Sequence, residues 1–578
     1  MKSYDYKKNG LLILGINGWV HGSHDMSAAL IEVNNNECKI LGCLEEEKVV
    51  GKKNIYDRFP VSSIKSLLKM YNLEPEDIDQ IAVGWNYPKL YDDLSLAWPF
   101  ANDEEIIQLL FGRKVNKLIP VTYIDHHKAH AASAYRASQF DCALCFVIDG
   151  NGERESYSVW RCEGDNISCV SSSDSESSLG FLFEATNLLI GFNNTDSGKT
   201  MGLAAYGAPV FGEVIKSYFD ENISANGKFR DLYNKFRRFE TPQNIMSFQM
   251  TGIRTWLSIF TNSLNIEQNI KEVDSFYDCE EKYKNVAASV QKVLEEKVLC
   301  EVQKWICVTG IHNICIAGGV GLNCTMNGKI LQMPLVDDMF VQPASGDSGV
   351  ALGAALERAY QLGRCSRIKG LFSPYLGSEI EDREVVLWCE QNGIDYIYRE
   401  NAEDILVNSL CNNESIAVFQ GRNEWGPRAL GARSILSLPQ EGKLDFINKK
   451  VKKRELGRPL GPSMLEEDAK ILESNLKTYG RYMNIAYCTT KCNEKIASII
   501  HVDGTYRPQF VNRKILDIYH NQLELLKKIY GNSIVINTSF NVDTPIIYNI
   551  KQAISFLEQR EITKLFVNNR IIISKNRL

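Results

Sequence analysis

Two runs decide the fold. They are Leu11-Leu12-Ile13-Leu14-Gly15-Ile16-Asn17-Gly18 and Ala143-Leu144-Cys145-Phe146-Val147-Ile148-Asp149, the second closed by Gly150-Asn151-Gly152. Each is an apolar stretch of strand length that stops at a polar residue beside a glycine. After the first, residues 27–33 and 40–44 read as two more strands, an antiparallel meander that opens an α/β domain. After the second, the glycine turn is tight and residues 156–161 read as the partner strand. Two units with one grammar predict a duplicated α/β fold, although no long repeat is visible by identity.

Working outward, residues 211–300 carry long helical patterns, clearest at 284–298. Residues 314–317 form a strand that runs into Gly318-Gly319, and 323–331 has helical spacing. Gly363, Gly370 and Pro374, with Gly377 just beyond, mark 362–376 as a linker, and a new α/β pattern begins at 381–392. The expected organisation is therefore two domains, 1–370 and 371–578.

The chain has 578 residues and a net charge of −6, with 44% hydrophobic and 24% charged residues. That balance excludes a lone small module and a disordered or fibrous chain. It also argues against a protein that coats nucleic acid or anionic membrane. The 16 Cys are scattered, many inside apolar runs such as Leu144-Cys145-Phe146, where a free thiol packs as a small hydrophobe. Cys142 and Cys145 have half of a zinc-knuckle spacing, but no second half follows, so packing is the better reading. The start at Met1 lacks a signal-peptide pattern and no run of about 18 apolar residues occurs. A cytoplasmic protein is expected.

Three of the eight His fall at His126, His127 and His130. On a helix, His126 and His130 share a face, which suits two ligands of a divalent metal and suits packed histidines as well. Asp149 and Asp347 are candidate carboxylates to complete a mixed N/O site, though each also fits a turn or N-cap. The glycine turn at 318–323 can present N–H groups to a phosphate or simply join strand to helix. Three Arg, namely Arg422, Arg428 and Arg433, stand among Gly, Pro and Trp within 421–434. Lys452, Arg454, Arg458 and Arg507 follow. Arginines on fixed backbone favour a phosphate or nucleotide pocket over a solvated face. Asn537-Thr538-Ser539-Phe540-Asn541 ends a strand with groups able to hydrogen-bond a small polar ligand.

Read together, His24-Asp25-x-Ser27-Ala28, Glu45-Glu46-Glu47, His126-His127-x-x-His130-Ala131, Gly198-Lys199-x-Met201-Gly202-Leu203-Ala204, Gly318-Gly319-Val320-x-Leu322-Asn323 and Gly346-Asp347-x-Gly349 form an ordered series. Gly421-Arg422-x-Glu424-x-Gly426-Pro427-Arg428-Ala429-Leu430-Gly431-x-Arg433-Ser434 and the 537–541 loop continue it. The series, spread over nearly the whole chain, resembles the NodU/CmcH-type carbamoyltransferase family, which includes the tobramycin and cephalosporin O-carbamoyltransferases. The resemblance implies a duplicated actin/hexokinase-like domain followed by a YrdC-like α/β domain. It implies that carbamoyl phosphate and ATP, with Mg2+, yield carbamoyl adenylate in the second domain. The carbamoyl group then passes to a hydroxyl of a small natural-product acceptor at a metal site in the first, as in antibiotic or toxin biosynthesis.

Carried over, His126, His130, Asp149 and Asp347 become ligands of a divalent metal, Fe(II) by family. His24 becomes the general base, with His21 as its competitor. Lys199, Gly318, Gly319 and Asn323 become contacts to the nucleotide or adenylate in the first domain. Arg422, Arg428, Arg433, Lys452, Arg454, Arg507, Asn537, Thr538, Ser539 and Asn541 become the ATP and carbamoyl phosphate site. Departures are small: Gly461 replaces a usual Ala, and Lys452 and Lys453 are interchangeable by one position. Threonylcarbamoyl transfer to tRNA, and an actin-like ATPase or sugar kinase, are the alternatives. No membrane or nucleic-acid partner is expected, and a homo-oligomer is left open. The segments 87–113 and 228–262 are candidates for choosing the acceptor, whose identity, like the choice of O- or N-carbamoylation, the sequence does not encode in any readable pattern.

Overall fold

The computed structural model describes residues 2–4, 6–222, 228–237, 247–472 and 476–577. The first meander becomes β1 (Leu11–Asn17), β2 (Ser27–Val33) and β3 (Cys38–Glu45), to which β4 (Gln80–Val83) and β5 (Val121–Tyr123) add in the order β3-β2-β1-β4-β5. β1 pairs antiparallel to β2 and parallel to β4. The second unit repeats this scheme with β6 (Cys142–Ile148), β7 (Glu155–Glu163), β8 (Asn166–Asp174), β9 (Asn313–Ala317) and β10 (Asp338–Val341) in the order β8-β7-β6-β9-β10. Here too the first strand pairs antiparallel to the second and parallel to the fourth. Identical order and direction in two sheets make this the duplicated actin/hexokinase-like fold. The repeat lives in topology, which explains why identity does not reveal it.

Between the sheets lie the helices His126–Tyr135 and Val350–Gln361, packed on each other. Their small residues set the spacing: a Cβ on Gly353 would overlap the carbonyl oxygen of Ala129, and one on Gly15 would overlap that of Ala351. The outer face of the second sheet shares its apolar core with Leu179–Ile190 and Glu281–Thr309. The latter runs well past the expected 284–298, because Val302 and Ile306 continue its buried stripe until Gly310 ends it in the left-handed conformation. The connection after β6 is also longer than a tight turn. It occupies 149–154, with Gly152 N–H donating to Glu155 O at 2.6 Å.

Beyond the second sheet, 362–381 contains no helix or strand, as a linker should, yet it is packed rather than free. Cys365 N–H donates to Asn34 O at 3.0 Å, Cys43 N–H to Leu376 O at 3.0 Å, and Tyr375 Oη to Leu430 O at 2.6 Å. There follow β11 (Ile397–Tyr398), β12 (Ile416–Phe419), β13 (Arg433–Ser437), β14 (Gly461–Leu465), β15 (Tyr487–Cys488), β16 (Thr505–Tyr506), β17 (Gln509–Val511), β18 (Val535–Ser539), β19 (Lys564–Val567) and β20 (Ile571–Ser574). Eight of them form one mixed sheet ordered β11-β20-β19-β12-β13-β18-β14-β17, and β15 pairs with β16. Among the described residues, no helix is long and apolar enough to cross a membrane. The segment 87–113 folds as two short helices, Tyr87–Asp93 and Asp103–Phe111. Of 228–262, residues 238–246 lie outside the described residues.

Candidate functional site

The inter-sheet helix begins where it must to aim two imidazoles at the end of β6. Glu153 accepts from His126 N–H at 3.0 Å and fixes the first turn. His126 Nε2 and His130 Nε2 stand 3.1 Å apart, each 3.3 Å from Asp149 Oδ2 and 3.6 Å from Asp347 Oδ1. All four ligand atoms fall within 4.8 Å of one another, and all four residues are buried. The His126 ring stacks on Trp85, with centroids 3.9 Å apart, and its Nδ1 lies 3.2 Å from Gly84 O. Donation there leaves the Nε2 lone pair pointing into the cluster, as a metal-ligating histidine requires. Two ring nitrogens and two carboxylate oxygens converging in a buried spot fit a divalent cation of the iron, manganese or zinc type.

Without a cation, a proton holds the cluster together. Burial alone would lower His126, but Asp347 and Asp149 push it up to about 10. Although burial opposes it, His126 and His130 hold Asp149, and His126 and His24 hold Asp347, well below the usual carboxylate range. Cation binding must displace that proton. We therefore expect affinity for Mn2+ to weaken about tenfold per unit of pH lost from about pH 8 to about pH 6, with about one proton released per ion. Calorimetry in buffers of different ionisation enthalpy checks both, and an affinity independent of pH contradicts the arrangement.

His24 borders this cluster and His21 does not. Asn17 Nδ2 donates to the carbonyls of His24 and Asp25 at 3.0 and 3.2 Å, bending the loop at Asp25, whose φ is +50°. His24 Nε2 thereby comes to 3.8 Å from Asp347 Oδ2, and Nδ1 to 3.4 Å from Asp25 Oδ2, whereas His21 is exposed. Burial pulls His24 down, but Asp347 and Asp25 raise it well above the ordinary histidine value.

From Asp149 the glycine turn leads toward the C-terminal half. Asp149 Oδ1 accepts from Gly150 N–H and Gly319 N–H at 2.8 and 3.0 Å, and Gly318, at φ +87°, has no room for a Cβ against the Ile148 backbone. At the far end of the turn, Cys324 is close enough to Arg428 to influence its charge. There the cations gather. Burial, then Arg507 and Arg458, bring Arg428 down to about 9. Burial and Arg458 hold Arg454 well below the usual arginine range, and burial, Arg454 and Arg458 do the same to Lys452. Glu455 and Asp543 oppose this charge, Glu455 through the contact of its Oε2 with Arg458 Nη1 at 3.2 Å. Among the described residues, Arg428 Nε and Arg507 Nε are buried without an acceptor. Arginine keeps its proton in such places, so the mutual repulsion amounts to a demand for an anion.

A cavity of about 440 Å³ lies beside Arg507, walled by Gly202, Gln291 and Cys324 from one half and Leu460, His501 and Tyr506 from the other. The loop that carries Arg428 is wedged against the N-terminal half. Glu424 Oε1 accepts from the backbone of Leu430, Ala432 and Arg433, and Lys48 Nζ donates to the carbonyls of Glu424 and Gly426 at 2.9 and 2.6 Å.

The Carbamoyltransferase N-terminus family model matches residues 99–356 and the Carbamoyltransferase C-terminus model matches 407–575. The chain is 34% identical to Nodulation protein NolO of Bradyrhizobium diazoefficiens over 441 residues, 75% of this chain and 75% of that protein. This chain belongs to the carbamoyltransferase family. The carbamoyltransferase is also 29% identical to Nodulation protein NolNO of Sinorhizobium fredii over 579 residues, 95% of this chain and 79% of that one. Among solved structures, Acidaminococcus fermentans (R)-2-hydroxyglutaryl-CoA dehydratase component A aligns with 61% of this chain and 99% of its own, at 13% identity and a TM-score of 0.32.

In this carbamoyltransferase several expected contacts have other partners. Arg422 gives its guanidinium to three carbonyls, those of Gly377, Leu41 and Leu376, at 2.6–2.8 Å. Arg433 is buried, donates to the carbonyls of Gln420, Ala432 and Gly421, and lies 3.6 Å over the Phe419 ring. Both therefore stand apart from the cluster of Arg428, Lys452, Arg454, Arg458 and Arg507. Asn323 caps the helix Cys324–Gln332 and exchanges two hydrogen bonds with Gln291, and Lys199 pairs with Asp196 and Glu455.

Lys452, not Lys453, reaches the strand-end loop. Its Nζ meets Ser539 Oγ at 3.0 Å and Asn541 Oδ1 at 2.7 Å, while Lys453 is exposed. Asn537 donates to Ser463 Oγ at 2.9 Å and to Gln509 Oε1, leaving its own Oδ1 buried without a donor. Thr538 is buried in β18 opposite Ile435. Glu184 was not singled out in the sequence. It lies near His24 and Asp149 and accepts from Gln249 at 2.8 Å, and burial pushes its carboxyl up to about 7. No motif flags it, since it sits inside an apolar helix.

Proposed function

We propose that this carbamoyltransferase works in two stages at two places. In the first, Arg428, Arg454, Arg458, Arg507 and Lys452, in a C-terminal domain taken as YrdC-like and beginning near residue 370, bind the phosphates of ATP and carbamoyl phosphate. Water releases phosphate from carbamoyl phosphate to leave carbamate, whose oxygen attacks the α-phosphorus of ATP, so that carbamoyl adenylate forms and pyrophosphate departs. Fixed guanidinium groups neutralise the charge that develops on the departing oxygens. The observation that carries the reading is this half-buried set of five cations with the acid Glu455 against it, linked by the turn 318–324 to the His and Asp cluster.

In the second stage the mixed anhydride passes to the His and Asp cluster, where its carbonyl meets His24. The acceptor's hydroxyl oxygen attacks the carbonyl carbon, AMP departs, and His24 takes the hydroxyl proton, as it can once a cation at the neighbouring cluster offsets the Asp347 charge that otherwise keeps the imidazole protonated. A divalent cation held by His126, His130, Asp149 and Asp347 supplies Lewis-acid charge to this site. The acceptor is a small hydroxyl compound, met by the segments 87–113 and 228–262.

Incubating the protein with α-labelled ATP tests the reading. AMP and pyrophosphate are expected only when carbamoyl phosphate is added. Formation of ADP without carbamoyl phosphate would favour a kinase-like ATPase and defeat it.

A further inference from the structure

The segment 454–459 belongs to the C-terminal half by chain and to the N-terminal half by bonding. Leu456 N–H donates to Asp274 O, and Phe276 N–H donates to Leu456 O, both at 2.9 Å. Tyr206 Oη donates to Gly457 O at 2.8 Å, and Gly457, at φ +77°, leaves no space for a Cβ against Tyr206 and Tyr277. The backbone between Arg454 and Arg458 is thus held by the first half while both side chains enter the cation cluster. Glu455, buried between them, is divided. Its Oε1 meets Lys199 Nζ at 2.8 Å and its Oε2 meets Arg458 Nη1 at 3.2 Å. Lys199 is steadied by Asp196 at 2.9 Å and by the Phe192 ring, whose centroid is 5.3 Å away.

We propose that Lys199 is a positioning residue for the anion pocket: by holding Glu455 Oε1 across the domain junction, it limits that carboxylate to the single Oε2 contact with Arg458, so the pocket retains part of its charge for an acyl phosphate. A buried carboxylate left with one partner where it had two closes on the remaining cation. Removal of Lys199 therefore lets Glu455 compete with the substrate's phosphate for Arg458. The role differs from direct contact with a nucleotide, because it acts only through Glu455. It rests on the two-stage reading above.

In steady-state AMP formation, Lys199→Met is expected to raise KM for carbamoyl phosphate about tenfold with kcat within about twofold, one charge-assisted contact being worth about that factor. Lys199→Arg, which keeps the ion pair, should restore the parent KM. In a Glu455→Gln background the same Lys199→Met change should move KM less than about twofold, because no carboxylate remains to redistribute. An unchanged KM in Lys199→Met, a full effect in the Gln background, or a Lys199→Arg as impaired as Lys199→Met would overturn the proposal. Should the parent form no AMP at all, the two-stage reading fails instead. Pyrophosphate binding to the same variants, followed by thermal shift, then still reads the pocket's charge, with the same ordering expected.

Discussion

His130→Ala is expected to lose carbamoyl transfer by about a thousandfold or more while AMP and pyrophosphate formation stays within about threefold of the parent. His130 Nε2 lies within the four-residue cluster, and the substitution removes one of the two imidazoles that stand beside Asp149 and Asp347. The repulsion among the cations comes from Arg428, Arg454, Arg458, Arg507 and Lys452, with Lys53 acting on Lys452 and Glu455 paired to Arg458, and His130 takes no part in it. Measuring labelled product and AMP in the same reaction separates the stages. Loss of both would contradict a division of labour between the domains.

Arg428→Met is expected to act in the opposite sense on activity and on stability. AMP formation should fall about a hundredfold to a thousandfold, since a fixed donor to developing phosphate charge is lost. The protein itself should unfold about 2 °C higher, because a cation held down by burial and by Arg507 is replaced with an apolar chain of similar length. Pyrophosphate should raise the unfolding midpoint of the parent more than that of the variant. A variant that is less stable and retains its AMP formation would place Arg428 among structural arginines.

That last class exists here, and it shows where sequence reading stops. The His and Asp cluster was legible because each member announces itself locally. His126 and His130 are spaced for one helix face, Asp149 follows the strand β6 before Gly150, and Asp347 stands between Gly346 and Gly349 just ahead of a helix. The duplication was legible from strand grammar for the same reason. Arg422 and Arg433, by contrast, look like anion binders beside Gly and Trp, yet their guanidinium groups are consumed by backbone carbonyls. All three that Arg422 meets, Leu41, Leu376 and Gly377, lie far from it in the chain. Nothing in the local pattern of an arginine tells which carbonyls it will meet.

Lys199 illustrates the same limit. The family resemblance implied a nucleotide contact for it, whereas its ammonium crosses the domain junction to Glu455. Glu184 was invisible for a different reason, because a lone carboxylate in an apolar helix becomes unusual only when burial and His24 surround it.

The central claim is that one activated carbamoyl species is made at the cation cluster and consumed at the His and Asp cluster. The most direct measurement is a quenched reaction of His130→Ala with carbon-labelled carbamoyl phosphate and α-phosphorus-labelled ATP. The account predicts that a compound carrying both labels accumulates, and that the parent supplied with its acceptor shows none. Appearance of the carbon label in product without any doubly labelled species, or of ADP in place of AMP, would contradict it.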